Sequence, residues 1–433
     1  MTTPSAPIMR FLGSVELARA YTLTVLGAVF GSYAIEHMTS RTTFATIILL
    51  LAVLGAAILV VRRDELSLLR IAPTSLLMFV VLALLSLLWT TDRGDTLAAW
   101  IWLVGLAFLA ITIGHIRDTL QTVRAIGDTL RVLLGLSLGV EILSGVLLDA
   151  PIAFLAIDGN LAIGGPIQGL FGTRNMLGFI AVIALITFVI EWRTQSVAAP
   201  IAIPSIALAG FLALLSASPT VLVLAVVVGA ATGALTIVRH TSAARRTIVQ
   251  WMLGVVVVVA LGVAFALRHP IIAWMGAGSD FSTRADLWNQ ILDFVAIKPF
   301  QGWGWFGPWD RGEHPFTFIN YLLDDHHESA LNAYFDVLLQ LGIAGLLLFA
   351  LLGGVALVRS WLVASVRRSV VYAWTPLVLV TLATDSMFES FTLTGAGWFM
   401  LVLCALRAGQ SRSWRENIDA ANTGVIPTLR GAE

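Results

Sequence analysis

Apolar runs of about 20 residues recur along almost the whole chain, and that is the length a helix needs to cross a bilayer. They fall at 20–35, 43–61, 71–89, 97–114, 125–148, 170–190, 201–217, 219–238, 247–267, 331–358, 370–384 and 391–407. No soluble core could hide so many. Of the 433 residues, 58% are hydrophobic and 12% charged, where soluble domains carry about a quarter charged. Lipid offers no partner for backbone N–H and C=O groups, so the runs are read as helices, which satisfy those groups internally. The expected fold is all-α. It is a polytopic integral membrane helical bundle, one domain over 1–433, with about 12 transmembrane helices and one long extracytoplasmic loop at 268–330.

The formal net charge is zero, which gives a polyanion such as nucleic acid nothing to bind. The single cysteine, Cys404, lies in an apolar run and excludes an intrachain disulfide. Arg10 and Arg19 precede the first run without a convincing cleavage site after it, so the run reads as a retained span.

Orientation follows from the arginines. With both termini in the cytoplasm, 19 of the 26 basic residues fall on the inner side, clustered at Arg62, Arg63, Arg117, Arg124, Arg245, Arg246, Arg367 and Arg368 among others. The opposite topology would reverse that split, against the positive-inside bias. Seven basic residues remain outside: Arg41, Arg93, Arg174, Arg268, Arg284, Lys298 and Arg311. Each goes against the bias and asks for its own reason.

The loop at 268–330 has internal pattern, and long loops are commonly functional. Over 284–298, Leu287, Ile291, Phe294 and Val295 share one helical face, predicting an amphipathic helix on the outer leaflet. Pro299 stops it. The turn Gly302-Trp303-Gly304-Trp305-Phe306-Gly307 follows, its tryptophans read either as interfacial anchors or as sugar-stacking rings. In the span at 125–148, Glu141 is an intramembrane carboxylate, expected to pair with Arg131 or to line a cytoplasmic-side pocket.

Three segments share the outer side. Gly169-Leu170-Phe171-Gly172-Thr173-Arg174-Asn175 opens one span. Ser282-Thr283-Arg284-Ala285-Asp286-Leu287-Trp288 leads to Lys298-Pro299-Phe300-Gln301-Gly302-Trp303-Gly304. His327-Glu328-Ser329-Ala330-Leu331-Asn332 runs into a span carrying Gly342 and Gly345. In order and spacing these resemble the O-antigen ligase and O-antigen polymerase family of bacterial membrane glycosyltransferases, closely over 169–345 and elsewhere by hydropathy only. In that family a histidine commonly stands directly before the asparagine. Here the position is Leu331, and His327 lies four residues earlier, on the same face if the helix already runs there.

The resemblance implies transfer of a glycan from an undecaprenyl-diphosphate carrier to an acceptor hydroxyl on a glycan or glycolipid. The reaction would take place at the outer face of the bacterial inner membrane and would invert the anomeric centre without a metal or cofactor. The residues suit that chemistry. A diphosphate leaving group needs its growing charge neutralised, and a guanidinium does so bidentately. Arg174 and Arg284 are the candidates, with Arg93, in the turn after the third span, as a third. A hydroxyl nucleophile needs a base near neutral pH, and His327 fits. The plainer readings are a snorkelling arginine at a span end and a solvated loop histidine. A metal site in Asp324-Asp325-His326-His327-Glu328 lacks spaced ligands. Two alternatives stay open: a polymerase whose acceptor is a second lipid-linked repeat, and a lipid-linked glycan transporter. The transporter should show charges along the bilayer interior, whereas here they gather at the outer rim.

Overall fold

The structure is a computed structural model. It describes residues 6–63, 71–267, 270, 278–309 and 313–422. Among these, every expected apolar run coincides with helix, and the only bridge between extended residues joins Ile152 and Ile157.

The first helices are α1 (Ala6–Leu12), α2 (Val15–Phe30), α3 (Ser32–Met38), α4 (Arg41–Val61), α5 (Thr74–Leu85) and α6 (Arg93–Ile116). Then come α7 (Thr119–Ile142), α8 (Arg174–Arg193), α9 (Ala199–Leu215), α10 (Pro219–His240) and α11 (Ala243–Ala266). The rest are α12 (Gly278–Ile297), α13 (Phe316–Leu323), α14 (Ala333–Val366), α15 (Trp374–Asp385) and α16 (Gly395–Asn422). Among the described residues, seven helices are long and apolar enough to cross a membrane: α4, α6, α7 with its π-turn to Leu148, α8, α10, α11 and α14. Thr74–Leu88, Ala199–Leu215 and Val370–Asp385 are apolar but shorter. The protein is therefore a multi-pass membrane protein, with seven helices of spanning length among the described residues where about 12 spans were expected.

Starts and stops are written locally. Ser40, Asp92, Asp118, Thr173 and Asn332 cap α4, α6, α7, α8 and α14 by accepting backbone N–H groups of the first turn. Pro219 stands in the first turn of α10, where its missing N–H costs nothing. The most enclosed of the seven is α8, with Leu177 to Ala184 all buried against neighbouring helices. By contrast α11 buries nothing in its apolar window and turns Val255 to Val259 outward, as a lipid-facing helix does.

Three expectations are corrected. Glu141 does not pair with Arg131: its Oε1 accepts the backbone N–H groups of Gln168 (3.0 Å) and Gly169 (2.8 Å), anchoring the strand of chain that leads into α8. Arg131 instead bonds Glu191 and, at 2.8 Å, Asp128. The loop helix begins earlier than 284 and does not spend its apolar face on lipid. Leu287 and Ile291 are fully buried against the aromatic loop and α14. Protein supplies what the amphipathic pattern asked of a membrane, because α12 is folded back over the start of α14. The loop tryptophans are neither anchors nor sugar platforms: Trp303, Trp305 and Trp309 are all buried. Their rings fill the space between loop and helices, with Trp303 Nε1 donating to Phe294 O (3.1 Å) and Trp309 Nε1 to Asp336 Oδ1 (2.7 Å).

The glycines of that turn explain its docking. α14 breaks at Gly342 (φ 66°), and the turn 299–304 lies against the break. Ile343 N donates to Pro299 O (2.8 Å), Trp303 N to Leu339 O (3.1 Å) and Gly304 N to Gln340 O (2.8 Å). A Cβ on Gly302 would stand 2.4 Å from Gln340 O, and one on Gly342 2.4 Å from the Phe300 backbone. Only two glycines let these backbones cross.

Candidate active site

Four connections meet at one end of the bundle. They are the 86–92 turn before α6, the mouth of α8, the segments 298–309 and 313–332 with α12, and the short link 386–394 between α15 and α16. Trp89 Nε1 reaches Gln301 O (3.1 Å) and Thr91 Oγ1 reaches His314 O (3.2 Å), tying the first to the third.

Arg284 projects from α12 into the junction. One Nη1 donates to Leu331 O (3.0 Å) and to Phe388 O, while Nη2 bonds Glu389 Oε1 at 2.8 Å. The pair is largely closed to solvent, with side-chain exposures of 15% and 6%. From the other side Asn175 Nδ2 donates to the same Glu389 oxygen (2.7 Å), and Ser218 Oγ donates to Asn175 Oδ1 (2.7 Å). One carboxylate thus holds the α8 motif and the α12 motif together. Burial pushes the Glu389 carboxyl up, against the pull of Arg284 and Asn175.

The link that carries Glu389 is pinned to the start of α14. Asn332 Nδ2 bonds Met387 O (2.9 Å), and Ala333 N bonds Ser386 O (2.9 Å). Ser390 Oγ donates to Asp336 Oδ2, which also accepts Ala330 N (3.0 Å). Asp385, at the end of α15, is fully enclosed, and neither of its carboxylate oxygens has a hydrogen-bond partner among the described residues. It shares the field of Arg284 with Glu389.

His327 sits in the loop between α13 and α14, not on a helix. The helix begins only at Ala333, and Leu331 takes a left-handed φ of 49°. The expectation that His327 and Leu331 project from one helical face is therefore wrong. Asn332 is the N-cap, and a cap sits outside the helix it starts. Asn320 holds His327 in another way, with Nδ2 to His327 O (2.9 Å) and His327 N to Oδ1 (3.1 Å). The imidazole is 8% exposed. Its Nε2 lies 3.4 Å from Asp325 Oδ2, an ion-pair distance without hydrogen-bond alignment. Burial moves the His327 pKa below its ordinary 6.5, with Asp325 opposing and His326 and Arg284 assisting, so the ring is neutral near pH 7. His327 lies four residues before Leu331, whose carbonyl oxygen accepts Arg284 Nη1, so the loop carries it toward the same junction.

The other two arginines are placed differently. Arg174 is the first residue of α8, half-buried and next to Asn175, so it stands at the junction's edge. Arg93 is exposed at the start of α6, on the turn that packs against the loop. Just before Arg174, Gly172 (φ 82°) passes over the Tyr33 ring, where a Cβ would stand 2.4 Å from a ring carbon. That contact aims the α8 mouth. Among the described residues no three His, Cys, Asp or Glu side chains gather in a way that could hold a metal.

Sequence reading did not find Glu389 and Asp385. The signal was present: two carboxylates in the six residues between the runs 370–384 and 391–407. Glu389 is 105 residues from Arg284, and spacing cannot announce such a pairing.

Residues 204–350 match the family model described as O-Antigen ligase, which supports the O-antigen ligase family. The matched segment runs from α9 into α14 and contains Arg284 and His327, while Arg174, Asn175 and Glu389 lie outside it. No curated protein matches the chain.

Proposed function

We propose, from the O-antigen ligase family supported by that match, that the chain transfers a glycan from undecaprenyl diphosphate to an acceptor hydroxyl. The family suggests membrane glycosyl transfer in polysaccharide biosynthesis. The observation that carries the finer reading is the shared oxygen of Glu389. It gathers Asn175, beside Arg174, and Arg284 at one junction with His327 nearby.

In this reading the acceptor oxygen attacks the anomeric carbon as the bond to the diphosphate oxygen breaks, inverting the centre. The hydroxyl proton passes to Nε2 of His327, which is buried, neutral and free of a hydrogen bond. Asp325, 3.4 Å away, stabilises the imidazolium that results. The departing diphosphate gains charge that Arg174 offsets from the α8 mouth and Arg284 offsets with the N–H groups its protein partners leave unused. Arg93 attracts the carrier from the exposed rim. Glu389 is a positioning residue, because it touches the arginine and not the glycan.

The ion pair of Arg284 also favours a second reading, in which that arginine is purely architectural. Transfer assays with purified protein, a lipid-linked oligosaccharide and a glycolipid acceptor test both: in folded Arg284→Lys protein an architectural arginine leaves the rate unchanged and a diphosphate-binding one does not. Arg174→Ala abolishes most transfer while the protein unfolds as wild type does, and Arg174→Lys restores part, lacking the bidentate fork. If Arg174→Ala transferred at wild-type rate, the diphosphate would have to be held elsewhere. Product size distinguishes a single transfer from a polymer built on a second lipid-linked repeat. The site end is read as extracytoplasmic, in the inner membrane with both termini cytoplasmic. Cysteines at Thr91 and Ser369, in a Cys404→Ala background, should label from opposite sides.

A further inference from the structure

At the opposite end of the bundle, α2, the end of α6 and the first turns of α7 enclose a cavity of about 180 Å³. That is well above the roughly 10–15 Å³ needed to admit one water. Its lining is Arg19, Leu23, Arg117, Gln121, Arg124, Ala125 and Asp128: three arginines against one aspartate. The aspartate is already committed, bonding Arg131 at 2.8 Å. Two acids beyond the lining act on the arginines: Asp118, beside Arg117, spends Oδ1 on the N-terminus of α7, accepting Gln121 N at 2.7 Å, and Glu191, which feels Arg124, is bonded to Arg131.

The three guanidinium groups donate no hydrogen bond to protein among the described residues, and Arg117 Nε is buried without a partner. Arg62 adds its charge to the same field: burial lowers the Arg117 pKa, Asp118 opposes that shift, and Arg19 and Arg62 add to it. Arginines elsewhere at this end are used as helix caps. Arg407 bonds Arg117 O (2.7 Å) and Asp118 O (3.2 Å), and Arg62 bonds Gly13 O (2.9 Å). The trio at the cavity has no such employment. Like charges held together around an open volume lower their energy by taking up an anion, and planar guanidiniums suit phosphate oxygens best.

We infer that the cavity bounded by Arg19, Arg117 and Arg124 is a binding site for a phosphate-bearing anion, separate from the candidate active site. Two sources share that chemistry: an anionic phospholipid headgroup and free phosphate. Basic pockets between spans suit headgroups.

The test uses the full chain, delipidated in a neutral detergent. One arm measures retention of phosphatidylglycerol against excess phosphatidylcholine by native mass spectrometry. The other measures the thermal shift produced by inorganic phosphate against chloride at equal ionic strength. Wild type should retain one phosphatidylglycerol preferentially, or be stabilised by phosphate beyond chloride, and the arm that responds names the source. Arg19→Gln with Arg117→Gln and Arg124→Gln should weaken the responding ligand tenfold or more. Gln121→Glu keeps the side-chain acceptor at the third position of α7, so the helix start is retained while a negative charge enters the lining. It should weaken the same ligand severalfold. Binding of neither ligand above its control, or equal binding by wild type and Gln121→Glu, overturns the site.

Discussion

The two ends of the bundle use arginine in opposite ways. At the end bearing Arg62, Arg239 and Arg407, the guanidinium groups of these three mainly donate to backbone carbonyls. Arg239 Nη2 bonds Arg368 O (2.6 Å) and Arg407 Nη2 bonds Arg117 O (2.7 Å). At the other end Arg284 meets a buried carboxylate as well as two carbonyls, and joins three segments distant in sequence. The first use satisfies orphan carbonyls and the charge bias of the membrane face. The second places a cation and a carboxylate where neither is well solvated, an arrangement with a large desolvation cost. The difference teaches that position on the topology map does not rank these arginines. Their partners do.

The comparison can be broken at its strongest point by Arg284→Ala. Removing one member of a buried pair leaves Glu389 uncompensated, at a cost of about 3–5 kcal/mol, and transfer should fall below detection. Arg284→Lys should restore folding more than activity. Unfolding measured in detergent, set beside transfer, reads both. If Arg284→Ala were as stable as wild type, the ion pair would not organise the junction.

His327→Ala should lower transfer by a factor of about 10²–10⁴, the usual scale for a lost general base. His326→Ala, on an exposed ring, should be mild. Because burial depresses the His327 pKa, the acid limb of kcat/KM should lie below pH 6.5 and disappear in His327→Ala. The same shift has a stability sign. A histidine whose folded pKa is lowered contributes stability above its unfolded value of 6.5, lost as pH falls through the folded value. An acid limb above 6.5 would remove His327 from the role. Asp325 is then the next carboxylate to change, being 3.4 Å away.

The smallest effect is expected at the other end. Arg239→Ala removes bonds to carbonyls that water can replace, and should cost about 1 kcal/mol or less without changing the transfer rate of folded protein. A loss as large as that of Arg284→Ala would erase the distinction between the ends.

Much of this was legible before any coordinates. The apolar runs located the helices, and the caps Thr173 and Asn332 mark where two motif helices start. Arg174, Arg284 and His327 were singled out from motifs, and the structure joins Arg284 to Asn175, the neighbour of Arg174, through one carboxylate oxygen. The reading failed where a side chain had two possible environments. An amphipathic α12 looks the same whether its apolar face meets lipid or protein. Trp303 and Trp305 look the same as anchors or as core. The helical placement of His327 failed because no local signal requires the helix to start before His327, and Asn332 takes the N-cap position, with long-range bonds from Asn332 to Met387 and from Ala333 to Ser386.

By itself, then, the sequence determined a multi-pass helical membrane protein with its chemistry-bearing residues set apart from the basic loops. Hydropathy and charge act over a single span, so one stretch of chain suffices to read them. Only the tertiary structure decided that Glu389 joins Asn175 to Arg284, that Gly302 crosses Gly342, and that α12 folds onto α14. Each of these is a contact between segments tens to hundreds of residues apart. Its energy depends on both partners being buried together, and no local pattern in either segment records that.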